Sequence, residues 1–190
     1  MYLIFDTETT GLPRNWRAPL TDLDNWPRMV QLAWNLYGKA GTKISEGDLI
    51  IIPEGFVIPD EAARVHGITT ARAEAEGVSL ENALATFQEM LRNAEYLVAH
   101  NISFDEKILG AEFLRKQLPN GLEGKKRICT MESSTDYCRI AGPRGFKWPN
   151  LTELHQTLFE EPFADAHNAA GDVAATARCF WELKHRGVIA

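Results

Sequence analysis

A mixed α/β fold, an antiparallel meander of strands followed by parallel strands with helices packed on them, is what this sequence predicts. Two observations predict it: apolar residues alternate in the first part of the chain, and from Ser79 they recur at helical spacing with short buried runs between. A third bounds it. With 190 residues, 45% hydrophobic and 24% charged, the chain has material for one substantial core, so one domain over 1–190 is expected.

Met1 to Asp6 is a short apolar run rich in β-formers and predicts the first strand, with Thr9-Thr10-Gly11 as the turn after it. Leu12 to Pro27, carrying prolines and tryptophans, predicts a long loop. Val30, Leu32, Trp34 and Leu36 alternate with Gln31, Ala33 and Asn35 and predict the second strand; Leu49 to Ile52, ending at Pro53, predicts the third. Leu80, Leu84, Phe87 and Leu91 share one helix face, and Tyr96 to Ala99 predicts a buried strand. Ser103 with Glu106 three residues on reads as a capping box opening a helix whose inner face is Phe104, Ile108, Ala111 and Leu118. A strand around Arg127 to Met131, a helix from Glu132, a Gly/Pro loop from Gly142 to Pro149, a helix from Leu151 to Leu158 and a terminal helix through Phe180 and Trp181 complete the order.

Composition narrows the function classes. No apolar run approaches the roughly 18 residues of a membrane span, and acids at Asp6 and Glu8 interrupt any secretory signal, so a cytoplasmic protein with no membrane partner is expected. Cys129, Cys138 and Cys179 form no C-x-x-C pair, which suits a reducing compartment and removes a thiolate zinc site. The net charge of −6 argues on its face against a polyanionic partner, but the charge is segregated: residues 107–147 hold 9 basic and 4 acidic side chains, a cationic band in an acidic chain.

Three segments concentrate acids at the ends of the predicted elements. In Phe5-Asp6-Thr7-Glu8-Thr9-Thr10-Gly11, alternation puts Asp6 and Glu8 on one face of the strand and Thr7 on the other. Two like charges so placed call for a cation between them, or else mark a solvated strand end. Asp105 follows the buried strand in Ala99-His100-Asn101-Ile102-Ser103-Phe104-Asp105, in a first helical turn where an acid is also favoured by the helix dipole alone. In His167-Asn168-Ala169-Ala170-Gly171-Asp172, five residues at about 100° each would set His167 and Asp172 roughly 140° apart in one helix. A shared site therefore requires His167 in the loop ahead of a helix capped by Asn168; otherwise it is a surface loop histidine.

FDTETTG, HNISFD and HNAAGD, in this order, resemble the three exonuclease motifs of the DEDDh family, to which the proofreading epsilon subunit of bacterial replicative DNA polymerase and ribonuclease T belong. The resemblance covers residues 2 to about 185. It implies a ribonuclease H-like fold and removal of nucleoside 5′-monophosphates from the 3′ end of a single-stranded or frayed DNA or RNA strand. By position it implies Asp6, Glu8, Asp105 and Asp172 as carboxylate ligands of two divalent ions, Mg²⁺ or Mn²⁺, and His167 as the general base. Hard ions prefer such oxygen ligands, and an imidazole with an ordinary pKa near 6.5 suits proton removal from water.

The resemblance also implies substrate contacts at Thr9, Gly11, Leu12, His100, Asn101 and Phe104, with Leu12 reading equally as a leucine that anchors a loop. His66, in a His-Gly-Ile segment, resembles a family segment near the substrate and reads equally as a packed loop histidine. The 12–27 loop, with Trp16 and Trp26 among Arg14, Arg17 and Arg28, and the segment Arg144 to Pro149 each read as a strand-binding surface or as loops pinned by their tryptophans. A free-standing DNA exonuclease is the preferred expectation, with no polymerase-binding segment evident. An RNA 3′ exonuclease and a non-catalytic binding or polymerase-accessory module are the alternatives.

Overall fold

A computed structural model describes residues 1–161 and 168–190. Its sheet has five strands in the order β3-β2-β1-β4-β5. β1 (Tyr2–Thr9), β2 (Met29–Tyr37) and β3 (Lys43–Ile50) form the antiparallel meander; β4 (Tyr96–Ala99) and β5 (Lys126–Cys129) add in parallel, as the alternation of strand and helix predicts.

The parity of β1 organises both faces. Leu3 and Phe5 enter one core with Leu32, Trp34 and Leu36 of β2, under α3 (Leu80–Asn93) and α4 (Ile102–Arg115). Tyr2 and Ile4 enter the opposite core with Val98, under α7 (Leu151–Phe159) and α8 (Ala169–His185). Helices cover both faces, so the polar positions Gln31 and Asn35 of β2 are buried as well. Fully burying side chains such as Phe5 and Phe87, which meet edge to face at 5.5 Å, stabilises by roughly 1.5–3 kcal/mol each.

The third strand differs from its sequence expectation. The apolar run Leu49 to Ile52 is only its end: β3 begins at Lys43 and is mostly polar, because an edge strand pairs by its backbone and keeps its charges in water. Opposite Trp34 it carries Gly47, where an added Cβ would lie 2.1 Å from the indole ring.

Two helices were not predicted, α1 (Asp60–His66) and α2 (Thr70–Glu76); with Ile58 and Ile68 they form a small satellite core around Val30. The Ser103 capping box is corrected. α4 begins two residues earlier, after Asn101 in the left-handed conformation (φ 68°), and the Glu106 carboxylate goes instead to Arg127 of β5 at 2.6 Å. α4 also stops at Arg115, so Leu118 packs on the core from the following turn. β5 ends at Cys129, two residues short of the expected Met131, and the helix expected from Glu132 is two short ones, α5 (Thr130–Ser133) and α6 (Thr135–Cys138). The Gly/Pro loop contains a small hairpin, β6 (Ala141–Gly142) and β7 (Gly145–Phe146). α7 opens with a capping box of Asn150 and Glu153.

Much of the cationic band is engaged within the fold. Arg115 is tied to the fully buried Glu112, Lys116 to Glu54, Lys126 to Glu95, Arg127 to Glu106 and Lys147 to Glu153, while Lys125 holds the carbonyls of Leu91 and Ala94. Arg28, which the sequence groups with the loop cations, is likewise internal: it pairs with Glu112 at 3.0 Å and lies over the Phe56 ring. Glu112 also accepts the Met29 amide, so this buried acid fixes the start of β2.

Cys129 and Cys179 are buried and all three cysteines are free. Among the described residues no helix is long and apolar enough to cross a membrane.

Candidate active site

β1, α4 and α8 bring the acids to one end of the sheet. Asp6 and Glu8 project toward the α8 side, as their parity requires, and each offers a carboxylate oxygen to a group with Asp172 in which the oxygens lie within 4.8 Å of one another. Asp172 stands in the first turn of α8, whose N-terminus is capped by the Asn168 side chain accepting from the amides of Ala170 and Gly171. His167 lies outside the described residues.

Asp105 is not among the three clustered acids, and parity explains why. It comes from α4, on the other face of the sheet, where Thr7 points; its Oδ1 accepts the Thr7 amide at 2.9 Å and the Thr7 hydroxyl at 2.8 Å. It still acts on the cluster electrostatically. Burial first, then Asp105, Asp172 and Glu8, hold the Asp6 carboxyl well above its ordinary range. Glu8 is pushed up to about 8 by burial and then by Asp172 and Asp105. Burial lifts Asp105 to about 7 against the opposing bonds from Thr7.

This donor set fits hard divalent cations. It is all carboxylate oxygen, its members repel one another, and positive charge is what would let all of them ionise together at neutral pH. Asp6, Glu8 and Asp172 are the residues placed to hold such an ion, with Asp105 adjoining.

The structure also uses residues that the sequence reading passed over. Thr7 orients Asp105. Gln31, opposite Glu8 in the β1–β2 register, accepts the Ala169 amide at 3.3 Å and donates to Asp48 at 2.6 Å, tying the start of α8 to β2 and β3. Its signal was a glutamine at a polar-parity position of a strand covered on both faces.

The expected substrate contacts divide. Thr9 is buried and its hydroxyl donates to the Gly11 carbonyl at 2.7 Å; Gly11 takes φ 147°, with open space where a Cβ would stand, and Leu12 is 73% exposed beside it. The exposed surface at the turn is therefore Leu12. Phe104 is half-buried with the Trp16 ring 5.7 Å away, and Asn101 accepts the Ser103 hydroxyl at 3.4 Å.

His66 takes the packed reading of its two, and His100 is also held internally. His66 is buried, with Nδ1 accepting the Ile68 amide; burial pushes its pKa down, and the Thr9 backbone pulls the other way. His100 is pushed down to about 4 by burial, against the Pro149 carbonyl. The neutral ring donates from Nε2 to that carbonyl and accepts the Thr130 hydroxyl at Nδ1, each at 3.0 Å, which commits both nitrogens.

The two loop tryptophans also part company. Trp26 is 2% exposed, packs with Ala18 and Ala111 and donates to the Pro19 carbonyl, so it pins the 12–27 loop. Trp16 is 46% exposed, its carbonyl held by Lys107 and its ring tilted against that of Phe104 at 5.7 Å. Trp16→Ala is expected to weaken single-stranded oligonucleotide binding by about 1–3 kcal/mol with little change in melting temperature. Trp26→Ala should instead cost about 3–5 kcal/mol of stability. Fluorescence binding beside melting curves separates the two, and unchanged affinity in Trp16→Ala removes that ring from the substrate path.

Comparison with known proteins places the site in context. The RNase T family model, described as exonuclease, matches residues 3–180. A DNA polymerase III PolC-type of Streptococcus pneumoniae is 35% identical over 118 residues, 62% of this chain and 7% of that protein. The PolC-type protein of Streptococcus sanguinis is 30% identical over 177 residues, 93% of this chain and 11% of that protein. The chain thus spans about a tenth or less of these relatives. Among solved structures, Escherichia coli exonuclease I with a dT13 oligonucleotide superposes with a TM-score of 0.78 at 19% identity, covering 97% of this chain and 41% of that one. A product-bound structure of exonuclease I gives 0.76 at 17%, over 97% and 43%.

Proposed function

The chain belongs to the RNase T family of exonucleases, as a DEDDh-type 3′-to-5′ exonuclease domain, and we propose that it removes nucleoside 5′-monophosphates from the 3′ end of single-stranded or frayed DNA. The convergence of Asp6, Glu8 and Asp172, with Asp105 behind Thr7, carries this reading. These four would hold two divalent ions, Mg²⁺ or Mn²⁺, whose chemistry is to activate a water and neutralise charge on the phosphate and the departing 3′ oxygen. Four carboxylates and two such ions balance in charge, which makes an acidic site tolerable to phosphate.

The chain's own groups do the rest. Thr7 fixes the Asp105 oxygen through two hydrogen bonds, and Gln31 ties down the start of α8, the helix that carries Asp172. Leu12 and Trp16 offer apolar surface to the terminal bases. His167, one residue ahead of the α8 cap, takes the proton of the attacking water; His167→Ala should slow hydrolysis by roughly 10²–10⁴-fold while metal binding measured by calorimetry changes little. A large loss of binding would make the ring a ligand instead.

DNA is favoured over RNA because the PolC-type relatives and the oligonucleotide-bound exonuclease I are DNA-associated by name. The PolC-type relatives also favour a second reading, proofreading in association with a polymerase. The test is degradation of 5′-labelled single-stranded DNA, RNA and mismatched primer–template with Mg²⁺, Mn²⁺ or EDTA. A descending ladder with 5′-mononucleotide products is expected for DNA under both ions and none under EDTA. Internal cleavage, or ladders undiminished by EDTA, overturns the mechanism; preferential attack on the mismatched primer supports the proofreading reading.

A further inference from the structure

We propose that the β6–β7 hairpin and the residues following it form a second binding surface, a stacking platform for single-stranded nucleic acid upstream of the 3′ end, with Phe146 and Trp148 as its rings. This rests on the exonuclease reading and adds to it a surface outside the carboxylate site.

The rings are unusually open. Phe146 is 50% and Trp148 62% exposed, whereas Trp26 and Trp34 are buried and Trp181 packs on Tyr2, Tyr37 and Phe180. Among the described residues, neither ring stacks on another aromatic side chain. The backbone beneath them is nonetheless fixed: the Lys147 amide donates to the Ile140 carbonyl at 2.9 Å, Lys147 Nζ pairs with Glu153 of α7 at 2.6 Å, and the Pro149 carbonyl accepts from His100. The tryptophan of this segment therefore does not pin it. Backbone bonds and an ion pair do, and they leave two aromatic faces presented to solvent.

Charge and position suggest the occupant. From Arg139 to Pro149 the chain carries no acid, and with Lys147 paired to Glu153 the charge left to the segment is that of Arg139 and Arg144. Arg144 lines a shallow depression with Pro143, Phe146 and Lys147. The His100 bond joins the end of this segment to the residue directly before Asn101 and the Asp105 helix. Exposed rings interleaved with cations are the pattern that grips single strands without base preference.

The test measures anisotropy of 5′-fluorescent oligothymidines of about four and about sixteen nucleotides, the span of single-strand sites, with Mg²⁺ in an Asp172→Asn background. Trp148→Ala is expected to weaken binding of the long oligonucleotide about 5- to 100-fold and the short one less than about two-fold, with an unmoved melting temperature. Arg144→Gln should lower the salt slope for the long one by about 1. Equal affinity for the long oligonucleotide, or equal losses on both lengths, overturns the platform. So does concentration-dependent self-association lost in Trp148→Ala without a change in oligonucleotide affinity. Degradation of the long oligonucleotide by the unmutated protein tests the exonuclease reading separately, so either idea can fail while the other stands.

Discussion

Asp6→Asn and Asp172→Asn are each expected to lower nuclease activity by roughly 10³-fold or more, the several kcal/mol of charge stabilisation that a held metal ion supplies. The two substitutions keep side-chain volume and remove one of three clustered carboxylates, so the fold should survive. Asp105→Asn should also lose most activity, for a more specific reason. An asparagine Oδ1 can still accept both bonds from Thr7, so the side chain keeps its place and only its charge is lost. Thr7→Val makes the complementary test: the charge remains but one of the two bonds that aim it is gone, and a smaller loss follows. Steady-state rates on single-stranded DNA, read beside melting curves, decide the matter. Full activity in any two of the asparagine variants removes these carboxylates from the chemistry.

Most of this site was legible because strand parity is a rigid rule. Asp6 and Glu8 two residues apart had to share a face, and Thr7 had to leave it; the structure puts the pair with Asp172 and gives Thr7 to Asp105. Asn168 could be read as a cap because a helix start needs a side-chain acceptor there. What parity does not reveal is which helix arrives on which face. Asp105 reaches the end of the sheet from the α4 side, held by Thr7, and adjoins the three clustered acids closely enough to raise the carboxyls of Asp6 and Glu8.

Charge was the least legible feature. A band of 9 basic residues in 107–147 suggested a phosphate surface, but linear density says nothing about partners. Glu54, Glu95, Glu106, Glu112 and Glu153 come from elements before, within and after the band to meet its cations. The Ser103 box failed for a related reason: Glu106 had a stronger partner in Arg127 than the backbone amide that a cap would offer. α1 and α2 carried readable signals, acids after Pro59, Thr69 as a cap and Gly67 as a stop, but their apolar faces are short and made largely of alanine, so periodicity alone does not raise them.

The metal-free protein is expected to lose stability as pH rises from about 4.5 to about 8, and divalent ions are expected to restore it. The sign follows from the acids. Glu8 has its folded-state pKa raised from 4.5 to about 8, and Asp105 and Asp6 are raised as well, so across this window the folded state holds protons that the unfolded chain has released. Stability then falls with increasing pH, the penalty being absent below the unfolded pKa and complete above the folded one. Glu8 is half-buried, and solvent screening brings the cost to about 2 kcal/mol, or roughly 4–8 °C for a chain of this size. Millimolar Mg²⁺ or Mn²⁺ should therefore raise the melting temperature strongly at pH 8 and hardly at all at pH 5, where protons compete for the same oxygens. Asp6→Asn should be more stable than the unmutated protein without metal at pH 8, and its stability should fall less with pH. The difference between the two proteins isolates the cluster from every other titrating group. Parallel melting curves for both across pH 5–8, or no response of the unmutated protein to either ion at pH 8, would mean that the acids are not held in mutual repulsion.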